Sequence, residues 1–389
     1  MSAVALTACV AQPRAVVTPG GPFAMVDPGV SAPKVVLLLP LTGTNAELGR
    51  GMLRAAQVAL DGPGVSGQPA PVLDVRDTGG TPAGAAAGVQ AGLAAGGVFV
   101  IGPLTAAETQ AVAPITRAAN VPVLAFTSDV MQAQPGVWPL GITPAQQVER
   151  LVGAVQKEGR SRIAAVLPQN SFGDALASGL QAATAGLPDA RVARHPPAGP
   201  LAPALNEVAD TTARHGPPGT EIDPATPPAP VPFDTLLLGA AGAPLLQALP
   251  LSTYDIVPPG PAGAGVRVLG TALWARDEAR LGPLRGAWYA APDPAARAEF
   301  NRAYSAKFNV PPRELTSLAF DAAAIARVTA VNGFDTASLT RAEGFRGADG
   351  LIALGPDGQV RRGLAVFELD GKGSHIVQPA PASLAVPGM

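Results

Sequence analysis

The stretch Lys34-Val-Val-Leu-Leu-Leu-Pro-Leu-Thr-Gly-Thr-Asn-Ala-Glu-Leu-Gly-Arg-Gly-Met52 decides the fold. Lys34–Leu39 is a short apolar run, long enough for one strand and no more. It stops at Pro40 and turns through small and polar residues. A helical pattern then begins, with apolar positions at 48, 52, 55, 56 and 59. The same grammar repeats. Val72–Arg76 ends at Asp77-Thr-Gly-Gly80, and Thr81 caps an Ala-rich helix whose first turn holds Pro82. Val98–Ile101 ends at Gly102-Pro103, and Thr105 opens the next helix. Val121–Ala125 ends at Phe126-Thr-Ser-Asp129. Strand–turn–helix units of this kind build a mainly parallel sheet whose ligand-facing loops lie at the carboxyl ends of its strands.

From Thr143 the pattern restarts. Pro144–Glu158 is helical, Arg162–Leu167 is a strand, and Phe172–Ala185 is helical with Asn170 or Ser171 as its cap. Val192–His195 reads as a strand and Leu201–His215 as one helix. Proline-rich residues 215–232 read as a surface excursion. Phe233–Leu238 and Val266–Leu269 are strands, each ending in small residues. Gly286–Ala290 reads as a strand crossing back to the first lobe, before helices over Asp293–Phe308 and Glu314–Val331. Phe345–Leu354, a turn at Pro356-Asp-Gly358 and Gly363–Leu369 read as an antiparallel hairpin. The expected fold is therefore α/β and two-lobed. Each lobe is a mainly parallel sheet flanked by helices, with a hinge and an interlobe cleft. Lobe 1 takes residues 34–142 and 288–335; lobe 2 takes 143–287 and 336–377. Residues 1–33 read as a lipobox-like start and a disordered linker, and 378–389 as a disordered tail.

Composition narrows the classes. A chain of 389 residues carries two ordinary domains, and a formal net charge of −2 offers no basic footprint for nucleic acid. No apolar run reaches the ~20 residues of a membrane helix. The one cysteine, Cys9, excludes a disulfide framework. It closes Leu6-Thr-Ala-Cys9, which looks like a bacterial lipobox and makes Cys9 the expected lipidation site. His195, His215 and His375 lack metal-ligand spacing. There is no Gly-x-Ser-x-Gly elbow, phosphate loop or dinucleotide fingerprint. These readings point away from an enzyme and call for neither a cofactor nor a metal.

The order of the segments resembles the type I periplasmic binding proteins, the leucine/isoleucine/valine-binding branch. The matching pieces are Leu39-Pro-Leu-Thr-Gly43 with Gly49, Asp77-Thr78, Ile101-Gly-Pro103 with Thr109-Gln110, Val121-Pro-Val-Leu124, Ser171-Phe-Gly-Asp174, and Pro356-Asp-Gly358 with Gly363-Leu-Ala-Val-Phe367. They run over residues 34–375. Asp77-Thr-Gly-Gly80 and Ala125-Phe-Thr-Ser-Asp129 are also similar to the penicillin-binding protein activator lipoproteins. That resemblance implies a periplasmic lipoprotein held in the outer membrane that contacts a cell-wall synthase. The receptor resemblance implies a transport protein that delivers branched-chain amino acids, or another small polar ligand, to an ABC permease. The stretch Leu236-Leu-Leu-Gly-Ala240 lacks the tyrosine of the amino-acid receptors, and Thr271-Ala-Leu-Trp274 lacks their glutamate. That difference favours the activator.

On such a frame, strand ends and helix starts select the cleft residues. They are Thr42, Thr44 and Asn45; Leu104 and Thr105; Thr127, Ser128 and Asp129; Gln169, Asn170 and Phe172; Ala240, Trp274 and Tyr289. Each Thr, Ser or Asn among them also suits a helix cap or turn. Trp274 and Tyr289 also suit core or hinge packing.

Overall fold

The computed structural model describes residues 32–62, 69–215, 229–257 and 265–384. Cys9, the rest of the expected linker up to residue 31, the excursion over 216–228 and residues 385–389 lie outside them.

The first lobe begins with β1 (Lys34–Leu39), α1 (Ala46–Asp61), β2 (Val72–Asp77), α2 (Pro82–Ala94), β3 (Gly97–Ile101), α3 (Ala106–Ala118), β4 (Val123–Ala125) and β5 (Val137–Pro139). Its five strands are parallel in the order β2-β1-β3-β4-β5. Successive side chains of a strand point to opposite faces, and β1 is buried on both. Val35, Leu37 and Leu39 pack with Met52 of α1, whereas Val36 and Leu38 pack with Val89 of α2 and Val112 of α3. This is why β1 is continuously apolar from Val35 on. β5 escaped the sequence reading: three residues ending in proline carry no periodic signal, and an edge strand tolerates proline.

The second lobe runs through α4 (Pro144–Gln156), β6 (Ile163–Pro168), α5 (Ser171–Ala183), β7 (Arg191–His195), α6 (Ala202–Val208), α7 (Thr211–His215), β8 (Thr235–Leu238), α8 (Gly242–Gln247), β9 (Arg267–Gly270) and β10 (Trp288–Ala291). The helix expected over 201–215 is two, because Asp210 adopts a left-handed φ of 55° between them. The chain then forms α9 (Pro294–Phe308), α10 (Thr316–Thr329), α11 (Thr336–Leu339), β11 (Phe345–Gly347), β12 (Gly350–Leu354), β13 (Val360–Arg362), β14 (Ala365–Leu369) and β15 (Ser374–Gln378). The second sheet is ordered β15-β14-β10-β9-β8-β6-β7, and its last two additions, β14 and β15, are antiparallel.

Four expectations change here. β10 does not start the return to lobe 1: it pairs with β9 and β14 inside the second sheet, and the crossing follows it, into α9. The return to lobe 2 comes later than residue 336. Leu339, Phe345, Ile352, Leu354 and Val360 bury in the same cluster as Leu37 of β1 and Ala322 of α10. The Asp-Gly turn joins β12 to β13 in a small antiparallel sheet, and β14 leaves it to complete the second sheet. The tail is ordered at its start, where Gln378 pairs with Val366 and Arg150 donates to the Pro379 carbonyl at 3.0 Å. The chain therefore passes between lobes three times, from β5 to α4, β10 to α9 and β13 to β14. Among the described residues no helix is long and apolar enough to cross a membrane.

Candidate functional site

A cavity of ≈ 760 Å³ opens between the lobes beside these crossings. Lobe 1 contributes Asn45 and Leu48 from the start of α1, Leu104 after β3, and Phe126, Thr127 and Ser128 after β4. Lobe 2 contributes Leu273, Ala275 and Arg276 from the turn after β9. The second crossing adds Ala291–Pro294, and behind it lie Arg297, Leu315, Ser317, Leu318 and Asp349. Most of the wall is aliphatic or aromatic, as small-molecule sites usually are.

Of the residues expected from strand ends, Asn45, Leu104, Thr127 and Ser128 meet in this cavity. Thr44 lines a shallower groove of ≈ 610 Å³ at its rim, shared with Asn45, Leu48, Arg276 and Glu314. The others have structural duties. Thr42 donates its hydroxyl to Asp77 at 2.7 Å, and that carboxylate also accepts from the amides of Leu41 at 2.8 Å and Gly79 at 2.8 Å. This staple joins the β1–α1 and β2–α2 loops. Slight desolvation of the exposed Asp77 works against it, yet the bonds from Gly79, Thr42 and Leu41 hold the carboxyl below its usual value. Thr105 forms a reciprocal capping box with Glu108. Asp129 caps the following 3₁₀ turn by accepting from Met131 N at 3.0 Å, and Asn170 caps α5 through Gly173 N at 2.9 Å.

No expected lobe 2 residue lines the cavity. Gln169, Asn170 and Phe172 follow β6, and Ala240 follows β8. Both strands stand farther along the sheet than β9 and β10, which border the hinge. Trp274 is fully buried and points away from the cavity that its neighbours Leu273 and Ala275 line. Its Nε1 donates to the Ala240 carbonyl at 2.9 Å, and its ring lies where a side chain on Gly270 would stand, 2.2 Å from the ideal Cβ. Tyr289 stacks on Phe367 at 5.0 Å and donates its hydroxyl to Glu278. Burial first, then Glu278, pushes that hydroxyl's pKa well up. Both aromatics are core.

The sequence reading missed a charged group behind the cavity. Arg297 grips Asp349 in a two-point contact, Nε at 2.6 Å and Nη2 at 2.8 Å, and Ser317 donates to the same carboxylate at 2.7 Å. Deeper, Arg362 pairs with Asp321 at 3.1 Å and donates through Nε to the Leu140 carbonyl at 2.9 Å. Asp321 also accepts from Ala348 N at 2.6 Å. Burial pushes the Asp321 carboxyl up to about 6, against the pull of Arg362 and with a further push from Asp349. Leu140 starts the first crossing, Arg297 follows the second and Arg362 precedes the third, so these two pairs bind all three crossings to α10. Asp293, at the carboxyl end of β10, could have been found by the strand-end rule. Arg297, Ser317 and Asp349 meet only through packing.

A second cavity of ≈ 540 Å³ lies at the opposite, amino-terminal ends of β3–β5, where Arg117, Asn120 and Asp335 line it. Among the described residues no group of three or more His, Cys, Asp or Glu side chains is placed to hold a metal ion.

Residues 33–217, just under half of the chain, match the family model described as periplasmic binding protein. No curated protein sequence matches it. Among solved structures, a candidate branched-chain amino acid ABC transporter protein from Rhodospirillum rubrum superposes with a TM-score of 0.70 at 19% identity, over 89% of this chain and 100% of its own. The leucine binding protein LivK from Thermotoga maritima gives 0.54 at 18%, over 90% and 99%. The C-domain of LpoA from Haemophilus influenzae, a regulator of PBP1A, gives 0.63 at 15%, over 88% and 99%. At these identities the likeness is one of fold. The match over residues 33–217 and the shared architecture give this chain the two-lobed fold of the type I periplasmic binding proteins.

Proposed function

We propose that this protein is a periplasmic solute-binding protein that holds a small molecule between its lobes and presents it to an ABC permease. The observation that carries the reading is the ≈ 760 Å³ cavity, which draws its walls from both lobes and from the middle crossing. A ligand touching both lobes favours the closed arrangement by the difference in its affinity for the two states, and by nothing else. The groups are arranged for binding rather than bond making: Asp349 and Asp321, the buried carboxylates behind the cavity, are paired with Arg297 and Arg362, and Thr105 caps a helix.

Thermal unfolding against a panel of amino acids, aromatic acids and their amides tests the proposal. A ligand at ~100 times its dissociation constant adds about 2.7 kcal/mol. For lobes of this size that raises the midpoint by roughly 5–11 °C. A panel that shifts nothing refutes the reading.

A second reading is regulation of a cell-wall synthase, as a penicillin-binding protein activator. The likeness to the LpoA C-domain supports it, as does the use of Thr42, Thr105, Asp129 and Asn170 as staples and caps rather than cleft contacts. Direct binding to a purified synthase, with no cleft ligand, is its test. Lipidation at Cys9 and attachment to the outer membrane belong to either reading; mass spectrometry of the N-terminal peptide from cells decides them.

A further inference from the structure

Resting on the solute-binding reading, we propose that the cleft selects an uncharged solute, one with an apolar body and one or two hydrogen-bonding groups. The body is specified by Leu104, Phe126, Ile142, Leu273, Leu315 and Leu318, which line the cavity. The absence of net charge follows from how its ionic groups are already engaged. Asp349 has a side chain only 2% exposed and is gripped by Arg297. A ligand carboxylate could recruit Arg297 only by leaving a buried aspartate with Ser317 alone. A ligand ammonium could recruit Asp349 only by taking from Arg297 its two-point carboxylate partner, leaving it the neutral Glu314 carbonyl and Ser317 hydroxyl. Breaking a buried pair by removing one partner is strongly unfavourable, so neither exchange yields a net gain. Asp293 accepts from Ala295 N at 2.8 Å as the cap of α9. Arg276 and Glu314 face each other across the mouth at 2.6 Å, but at 67% and 66% exposure they are too solvated to offset a charge taken into the cavity.

Neutral handles remain. Asn45 stands at the start of α1 without a side-chain cap bond, and both it and Ser128 line the cavity with no side-chain partner among the described residues. An amide and a hydroxyl suit a carbonyl, amide or hydroxyl on the ligand.

The test is calorimetry on the purified protein with four probes that share a phenyl body: phenylacetamide, phenylacetate, phenethylamine and phenylalanine. The amide should bind at least about tenfold tighter than the other three, and Leu104→Trp, which fills the cavity, should abolish its heat. Asp349→Asn, checked for folding by circular dichroism, frees Arg297 and should raise phenylacetate affinity by about tenfold or more. Arg297→Gln should do the same for phenethylamine. If a charged probe binds the wild-type protein as tightly as the amide or tighter, and Leu104→Trp abolishes it, the charge rule is overturned and the solute reading stands. If none of the four binds, both are overturned.

Discussion

Arg362→Met tests the buried pair at the hinge. Arg362 is 1% exposed and Asp321 not at all, and they meet at 3.1 Å. Methionine fills much of the space but leaves Asp321 with Ala348 N as its remaining donor. Removing one partner of a buried pair costs about 3–5 kcal/mol. At ~2–4 °C per kcal/mol the midpoint should fall by roughly 6–20 °C. The loss depends on pH, and its sign follows from Asp321. Its folded-state value, about 6, lies above that of an unfolded aspartate. Its contribution to stability is therefore complete below the unfolded value and is lost as pH rises through about 6. Without Arg362 the carboxyl rises further. The deficit against wild type should be small at about pH 5 and grow above about pH 6. Adding Asp321→Asn, which keeps an acceptor for Ala348 N and removes the stranded charge, should restore most of the stability. Calorimetric unfolding of the two single variants and the double variant gives the coupling directly. A deficit below about 1 kcal/mol, or one equal at both pH values and unrelieved by Asp321→Asn, would refute the reasoning.

Asp77→Asn should cost about 1 kcal/mol, discounted for exposure, because the acceptor of the Thr42 and Gly79 bonds loses its charge. The Asp77 value is depressed on folding, so the cost should be present above an unfolded aspartate's value of ~3.9 and vanish as pH falls through the folded one; urea titrations at neutral and acid pH check this. Gly49→Ala places a Cβ 2.1 Å from the Pro40 carbonyl oxygen, so α1 must shift off β1. The strain of about 1–3 kcal/mol exceeds the ~1 kcal/mol gained in helix propensity, and chemical denaturation should show a net loss. Leu37→Ala, at a fully buried position of β1, should cost about 2–5 kcal/mol by the same measurement.

The two-lobed α/β frame was legible because it is written locally. Val35–Leu39 is buried on both faces and hence apolar throughout. Thr81, Thr105 and Asn170 stand where helix starts need an acceptor; the first two begin the helices expected of them, and Asn170 is the cap out of the Asn170–Ser171 pair. The strand-end rule also found the lobe 1 side of the cavity at Asn45, Leu104, Thr127 and Ser128, since parallel strands deliver their carboxyl ends to one edge. What tertiary structure decided is everything that depends on distance between lobes. β10 and β14 look like a return and a hairpin partner in sequence, yet long-range pairing puts them side by side in the second sheet. Trp274 and its neighbour Leu273 are equally apolar in the sequence; the turn after β9 buries the first and presents the second. Arg297 and Asp349 are 52 residues apart and meet only because α9, α10 and the small sheet pack together at the hinge. Local pattern encodes which faces must be buried, whereas a site between lobes is set by contacts whose partners lie in different segments.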